Sequence, residues 1–219
     1  KLVGVESLIR WHSPEQGVIP PSVFIPIAEE SNHIVKIGNW VIKHVLADIK
    51  NLQDMFSIDI HIAINLSTKQ LLVNNLPNLI QLLHELLQEY DIPSGLIELE
   101  ITEHCLLSNT QDIFYQLQQL RDQGFSISLD DFGTGYSSLT YVQKLPIDRI
   151  KIDLSFVKMI EKDKKTREII RLIVELSKSL GLITIAEGIE TEEQLQFLQE
   201  IGCDIGQGYL LSKPLLLTK

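Results

Sequence analysis

A chain of 219 residues is long enough for one substantial core, and 44% hydrophobic against 22% charged residues is a globular rather than a disordered balance. Its 29 acidic residues outnumber 19 Lys and Arg to give a net charge of −10, which argues against a polymeric nucleic-acid partner. A small phosphate-bearing ligand stays compatible where local cations offset that field, and no apolar run reaches the ~18 residues of a membrane span.

The two cysteines, Cys105 and Cys203, stand far apart in no zinc or redox spacing and read as buried thiols in a reducing compartment. The chain opens inside strand-like sequence, which reads as a fragment of a longer protein.

In chain order, β-rich runs are expected over 2–9, 58–66, 96–102, 126–131, 147–153, 182–187 and 204–209. Helical apolar spacing is expected over 35–51, 76–90, 112–123, 167–180 and 192–201. Alternation of this kind implies a parallel sheet with crossover helices. The fold class is therefore α/β: a TIM-like (β/α)8 barrel lacking the usual first N-terminal strand, with a doubly wound open sheet as the competitor.

Side-chain alternation favours the barrel. Along 58–65, Ile58, Ile60, Ile62 and Ile64 oppose His61, Ala63 and Asn65. Ile97, Leu99 and Ile101 oppose Glu98, Glu100 and Thr102, and Ile127 and Leu129 oppose Ser126, Ser128 and Asp130. Ile150 and Ile152 oppose Arg149, Lys151 and Asp153. A central strand of an open sheet is covered on both faces and reads as apolar throughout. The run at 182–187 is the exception, since Ile183 and Ile185 fall in phase with Glu187.

The C-terminal mouth of such a barrel carries its chemistry. Here that mouth would hold Glu6, Asn65, Glu100, Asp130 with Asp131, Lys151, Glu187 and Gln207. Carboxylates converging from several strands need counter-charge, and oxygen ligands suit hard cations such as Mg2+ or Mn2+. One of the paired aspartates could bridge two cations ~3.5–4 Å apart, a geometry suited to in-line displacement at phosphorus. Lys151 could orient or deprotonate a water, or offset phosphoryl charge. Against this, a lone strand-end Asp or Asn caps a turn, and Lys151 alone is an ion-pair partner for Asp153 or Asp130. Acids inside strands, as at Glu6 and Glu100, rarely bury without a partner.

Seven stretches, in order, resemble the EAL domain, the family of cyclic di-GMP phosphodiesterases. They are VGVESLIRW (3–11), INLS (64–67), IELEITEH (97–104), DDFGTGYSSL (130–139), DRIKIDLSFV (148–157), AEGIET (186–191) and GCDIGQGYLLSKP (202–214). The resemblance implies one domain over 1–219 that hydrolyses cyclic di-GMP to linear pGpG with two Mg2+ or Mn2+ ions. It implies Glu6, Asn65, Glu100 and Asp130 as ligands of one metal, with Asp130 bridging to a second beside Asp131. Lys151 is then the residue that positions the attacking water, and Glu187 a base or metal-site support. Gln207 and Glu190 resemble water-positioning groups, while Leu8 and Arg10 resemble residues that line the substrate. Glu103 resembles the glutamate that holds the loop after Asp131, which the family links to dimer contacts. The resemblance further implies a homodimer, an upstream regulatory domain and a cytoplasmic setting, with any membrane anchor outside this segment.

The signature reads Glu-Ser-Leu where the family has Glu-Ala-Leu. Ser7 points away from Glu6, Leu8 and Arg10, so its hydroxyl is expected to bond to backbone at small packing cost and leave the site intact. Two other readings stand beside the enzyme: a catalytically inactive EAL-like domain that senses cyclic di-GMP or a partner protein, and another divalent-metal barrel enzyme that abstracts a proton next to a carboxylate.

Overall fold

In a computed structural model of the chain, the described residues are 1–56, 60–72, 74–103, 105, 110–135 and 142–216. They form two compact units, Lys1–Glu100 with Asn109–Ser126 and Ile101–Ser108 with Ile127–Lys219.

The first unit is built on β1 (Gly4–Ser7), β4 (His61–Asn65) and β5 (Ile97–Thr102), paired in parallel in that order. Between β1 and β4 lie a hairpin of β2 (Trp11–Ser13) and β3 (Gly17–Ile19), then α1 (Pro21–Glu30) and α2 (Ile34–Phe56). Neither the hairpin nor α1 is among the expected elements. Pro14 and the Ser13 hydroxyl, which accepts from Glu15 and Gln16 N–H, make the turn of a two-stranded ribbon too short to show alternation. Pro20, Pro21 and Pro26 hide the helix, although proline at the start is well placed there, where the first N–H groups have no intrahelical acceptor. Trp11 packs edge-to-face on Phe24 and docks the hairpin onto α1.

α2 presents Ile34, Gly38, Ile42, Leu46 and Ile49 to the core, a stripe at helical spacing. The short α3 (Thr68–Leu71) leads to α4 (Leu76–Tyr90), which buries Leu76, Leu79, Leu83, Leu86 and Leu87. Asp91 in the left-handed conformation (φ 53°) ends α4, with its N–H on the Leu87 carbonyl. α5 (Thr110–Asp122) buries Ile113, Gln116, Leu117 and Leu120.

In the second unit β6 (Ser126–Phe132), β7 (Arg149–Ile152), β8 (Ile183–Ala186) and β9 (Ile205–Gly206) pair in parallel in that order. In each unit the parallel strands are neighbours in chain order, without the reversal that a doubly wound sheet needs at its switch point. Asp153 caps α6 (Leu154–Val157), Asp163 caps α7 (Lys164–Ser179), and Thr191 with Gln194 makes a capping box on α8 (Glu192–Glu200). The out-of-phase strand is resolved by register. Ile183 and Ile185 pair with Arg149 and Lys151 on the face of the polar set, while Thr184 turns to the other face. There its hydroxyl donates to Asp204, which also accepts from Thr184 N–H.

Of the expected runs, Ile58 and the residues Tyr136 to Leu139 of the loop motif lie outside the described residues. Cys105 is buried as expected, but Cys203 is only half-buried beside the β8–β9 ladder. No helix among the described residues is long and apolar enough to cross a membrane.

Candidate metal centre

In the first unit the register sets the acids on one face. Glu6 pairs with Ala63, and Asn65, two residues on, pairs with Glu100. Partners in a parallel ladder point the same way, so Glu6, Asn65, Glu98 and Glu100 share a side. Asn65 Nδ2 donates to Glu6 Oε1 at 3.0 Å. Glu100 is 2% exposed, a depth at which a carboxylate needs compensating partners. On the opposite face Ser7 Oγ donates to the Ala63 carbonyl at 2.9 Å, the backbone bond expected of the Ser-for-Ala departure. Leu8 is 45% exposed, and Arg10 is exposed with Nη1 on its neighbour's carbonyl.

The second unit holds the denser cluster. Oxygens of Asp130, Asp131 and Glu187 lie within 4.8 Å of one another. Consecutive strand residues should point to opposite faces, but an extra residue enters β6 between Leu129 and Phe132 relative to β7. Asp131 takes up that bulge at φ 55°, a left-handed conformation that Asp tolerates better than most residues. The bulge re-aims Asp131 into the same space as Asp130.

Lys151, 1% exposed, places Nζ 2.7 Å from Glu187 Oε1 and 3.3 Å from Asp130 Oδ1. Glu187 continues the β8 ladder through its N–H to the Ile152 carbonyl, and Gln207 N–H donates to the Ala186 carbonyl. Those bonds put Gln207 Nε2 2.8 Å from Glu187 Oε1. As ions, three carboxylates against one ammonium leave two negative charges, and repulsion at this spacing favours a bound cation. An all-oxygen donor set that matches one divalent charge fits Mg2+ or Mn2+.

Two further residues are placed differently from one another. Glu103 is buried, and its Oε2 accepts from the N–H groups of Gly133 and Gly135 at 3.1 Å each. A Cβ on Gly135 would come 2.8 Å from the Glu103 carboxyl carbon, so glycine there allows the approach. Glu190 lies 3.7 Å from Lys158, both side chains about half exposed, the geometry of a surface ion pair. The capping box that Ser67 and Gln70 make just after Asn65 is not among the expected features, though its S-x-x-Q spacing is legible.

The sequence model of the EAL domain family matches residues 1–214. The chain is 40% identical over 211 residues to the cyclic di-GMP phosphodiesterase PdeR of Escherichia coli, covering 96% of this chain and 31% of that protein. It is also 40% identical over 218 residues to the oxygen sensor protein DosP of Escherichia coli, covering 98% of this chain and 26% of that protein. It thus spans about a third or less of the length of these curated relatives. Among solved structures, the PaMucR phosphodiesterase in complex with c-di-GMP superposes with a TM-score of 0.91 at 37% identity, covering 98% of this chain and 86% of that one. The fold is accordingly of the (β/α)8-barrel class expected from the alternating strands, and the chain belongs to the EAL domain family.

Proposed function

We propose that this chain is a metal-dependent phosphodiesterase that hydrolyses cyclic di-GMP to linear pGpG. The observation that carries the reading is the cluster of Asp130, Asp131 and Glu187 with the buried Lys151 ammonium held between Glu187 and Asp130. Family membership and the activity named for PdeR support it. In this reading Glu6, Asn65 and Glu100 of the first unit, and Asp130 and Asp131 of the second, are the residues that would hold divalent cations. When bound, the cations supply charge neutralisation at phosphorus and ease the ionisation of water.

Lys151 holds the attacking water, and Glu187 accepts its proton, with Gln207 fixing the Glu187 carboxylate by hydrogen bond. The water oxygen bonds to phosphorus, one P–O bond to a ribose 3′ oxygen breaks, and that oxygen leaves as a hydroxyl after taking a proton from solvent, to which Glu187 returns the one it accepted. Leu8 and Arg10 line the base and phosphate of the nucleotide, Glu190 supports the water, and Glu103 holds the loop that follows Asp131. The reading extends to one domain over the chain, a homodimer, a regulatory domain elsewhere in a longer protein and a cytoplasmic setting; the greater length of the relatives supports the regulatory domain.

The test is incubation of chelator-treated protein with cyclic di-GMP, before and after Mg2+ or Mn2+ is returned. Formation of pGpG only with the metal is expected. Tight nucleotide binding without turnover points instead to the sensor, and an inert nucleotide to another barrel chemistry.

A further inference from the structure

Asn65 closes β4, and the chain leaves the strand at once. Leu66 N–H extends the ladder by donating to the Glu100 carbonyl at 2.8 Å. Ser67 then forms a reciprocal capping box: its N–H donates to Gln70 Oε1 at 3.2 Å, and its Oγ accepts from backbone N–H. Ser67 Oγ also donates to Glu29 Oε1 of α1 at 2.7 Å. Lys69 Nζ reaches Asn32 Oδ1, at the corner between α1 and α2, at 2.6 Å. A helix as short as α3 has little stability of its own. What these bonds fix is the path of the chain immediately after Asn65.

Gln70 is 2% exposed, and its Nε2 is buried with no hydrogen-bond partner among the described residues. The amide lies against Gly38, in the core stripe of α2 between Ile34 and Ile42. A Cβ at Gly38 would sit 2.3 Å from Nε2 and 2.4 Å from Oε1 of Gln70. Glycine in mid-helix is unfavourable relative to alanine, and here it admits the amide that caps Ser67. The amide is the movable end of a flexible side chain, so a larger residue at 38 displaces the cap rather than the helix.

Resting on the reading of Asn65 as a metal ligand, we infer that Gly38, Gln70, Ser67 and Glu29 form a clamp that positions the Asn65 carboxamide beside Glu6. These are positioning residues that act through Asn65. The test compares wild type with Gly38→Ala and Gln70→Met in two measurements. The first is Mn2+ affinity by paramagnetic resonance titration. The second is the side-chain amide resonance of Asn65 in metal-free protein, assigned by its loss in Asn65→Ala. Helix propensity alone leaves Gly38→Ala as stable as wild type or more so. The clamp predicts a shifted Asn65 resonance in both variants and Mn2+ affinity about tenfold weaker. Gln70→Met keeps the side-chain volume but removes the acceptor for Ser67 N–H, so it decides the matter if Gly38→Ala does not fold. Unchanged Asn65 resonances in the folded variants overturn the clamp, whatever happens to the melting temperature. If wild type takes up no Mn2+, the metal reading fails, and the Asn65 resonance still decides the clamp.

Discussion

Lys151 Nζ lies 2.7 Å from Glu187 Oε1, with the lysine side chain 1% exposed and the glutamate 12%. A buried ammonium so held stands in part for the cations that the carboxylates around it call for. Replacing it by a neutral side chain of similar length leaves Asp130, Asp131 and Glu187 facing one another. Lys151→Met is expected to cost about 3 kcal/mol of stability without metal, the scale of a broken buried ion pair. Mn2+ should recover more of that loss than it adds to wild type, as read in thermal melts at several Mn2+ concentrations. Its turnover should fall by about 100-fold or more.

Asp131 separates geometry from charge. Asn tolerates the left-handed backbone that φ 55° demands, so Asp131→Asn keeps the bulge and removes one negative charge. The expected outcome is a folded protein whose Mn2+ stoichiometry drops from two to one, measured by equilibrium titration. Asp131→Val should be less stable by about 1–2 kcal/mol, since a β-branched residue resists that conformation.

Ser7→Ala tests the departure from the family signature. The lost bond to the Ala63 carbonyl should cost less than about 1 kcal/mol, because such bonds contribute modestly in net terms. Turnover should stay at the wild-type level, since Ser7 points away from the face of Glu6 and Glu100. Urea denaturation and a rate assay check the two halves.

These residues show what could be read from the chain. The alternation that set Glu98 and Glu100 against Leu99, and Lys151 against Ile150, carried the barrel assignment and the polar face, because period-2 patterning is local. That Asp131 reaches the mouth beside Asp130 is expected from the sequence, but the bulge that aims it there is not local. It depends on an extra residue in β6 measured against β7, and no pattern within 126–132 announces that mismatch. The hairpin and α1 are hidden for a related reason: Pro14, Pro20, Pro21 and Pro26 read as breakers, while packing of Trp11 on Phe24 holds both elements. Gln207 near Glu187 likewise follows from ladder bonds across β7, β8 and β9.

Stability should also depend on pH through Asp163. Its carboxyl is held below the ordinary carboxylate value, first by the Thr166 hydroxyl and then by Lys165 N–H at the start of α7. A folded value lower than the unfolded one gives stability that is present above the unfolded pKa of 3.8 and is lost as pH falls through the lowered value. Asp163→Asn retains the capping oxygen and should flatten that acid-side loss in melts recorded at descending pH.

If the carboxylate cluster and Lys151 serve phosphodiester hydrolysis, cyclic di-GMP is consumed only while Asp130 is intact. The most direct measurement follows cyclic di-GMP and pGpG by chromatography, with wild type and Asp130→Asn side by side in Mn2+. Wild type is expected to convert cyclic di-GMP stoichiometrically to pGpG, and a folded Asp130→Asn to convert none. A folded wild type that takes up Mn2+ and nucleotide yet yields no pGpG would contradict it.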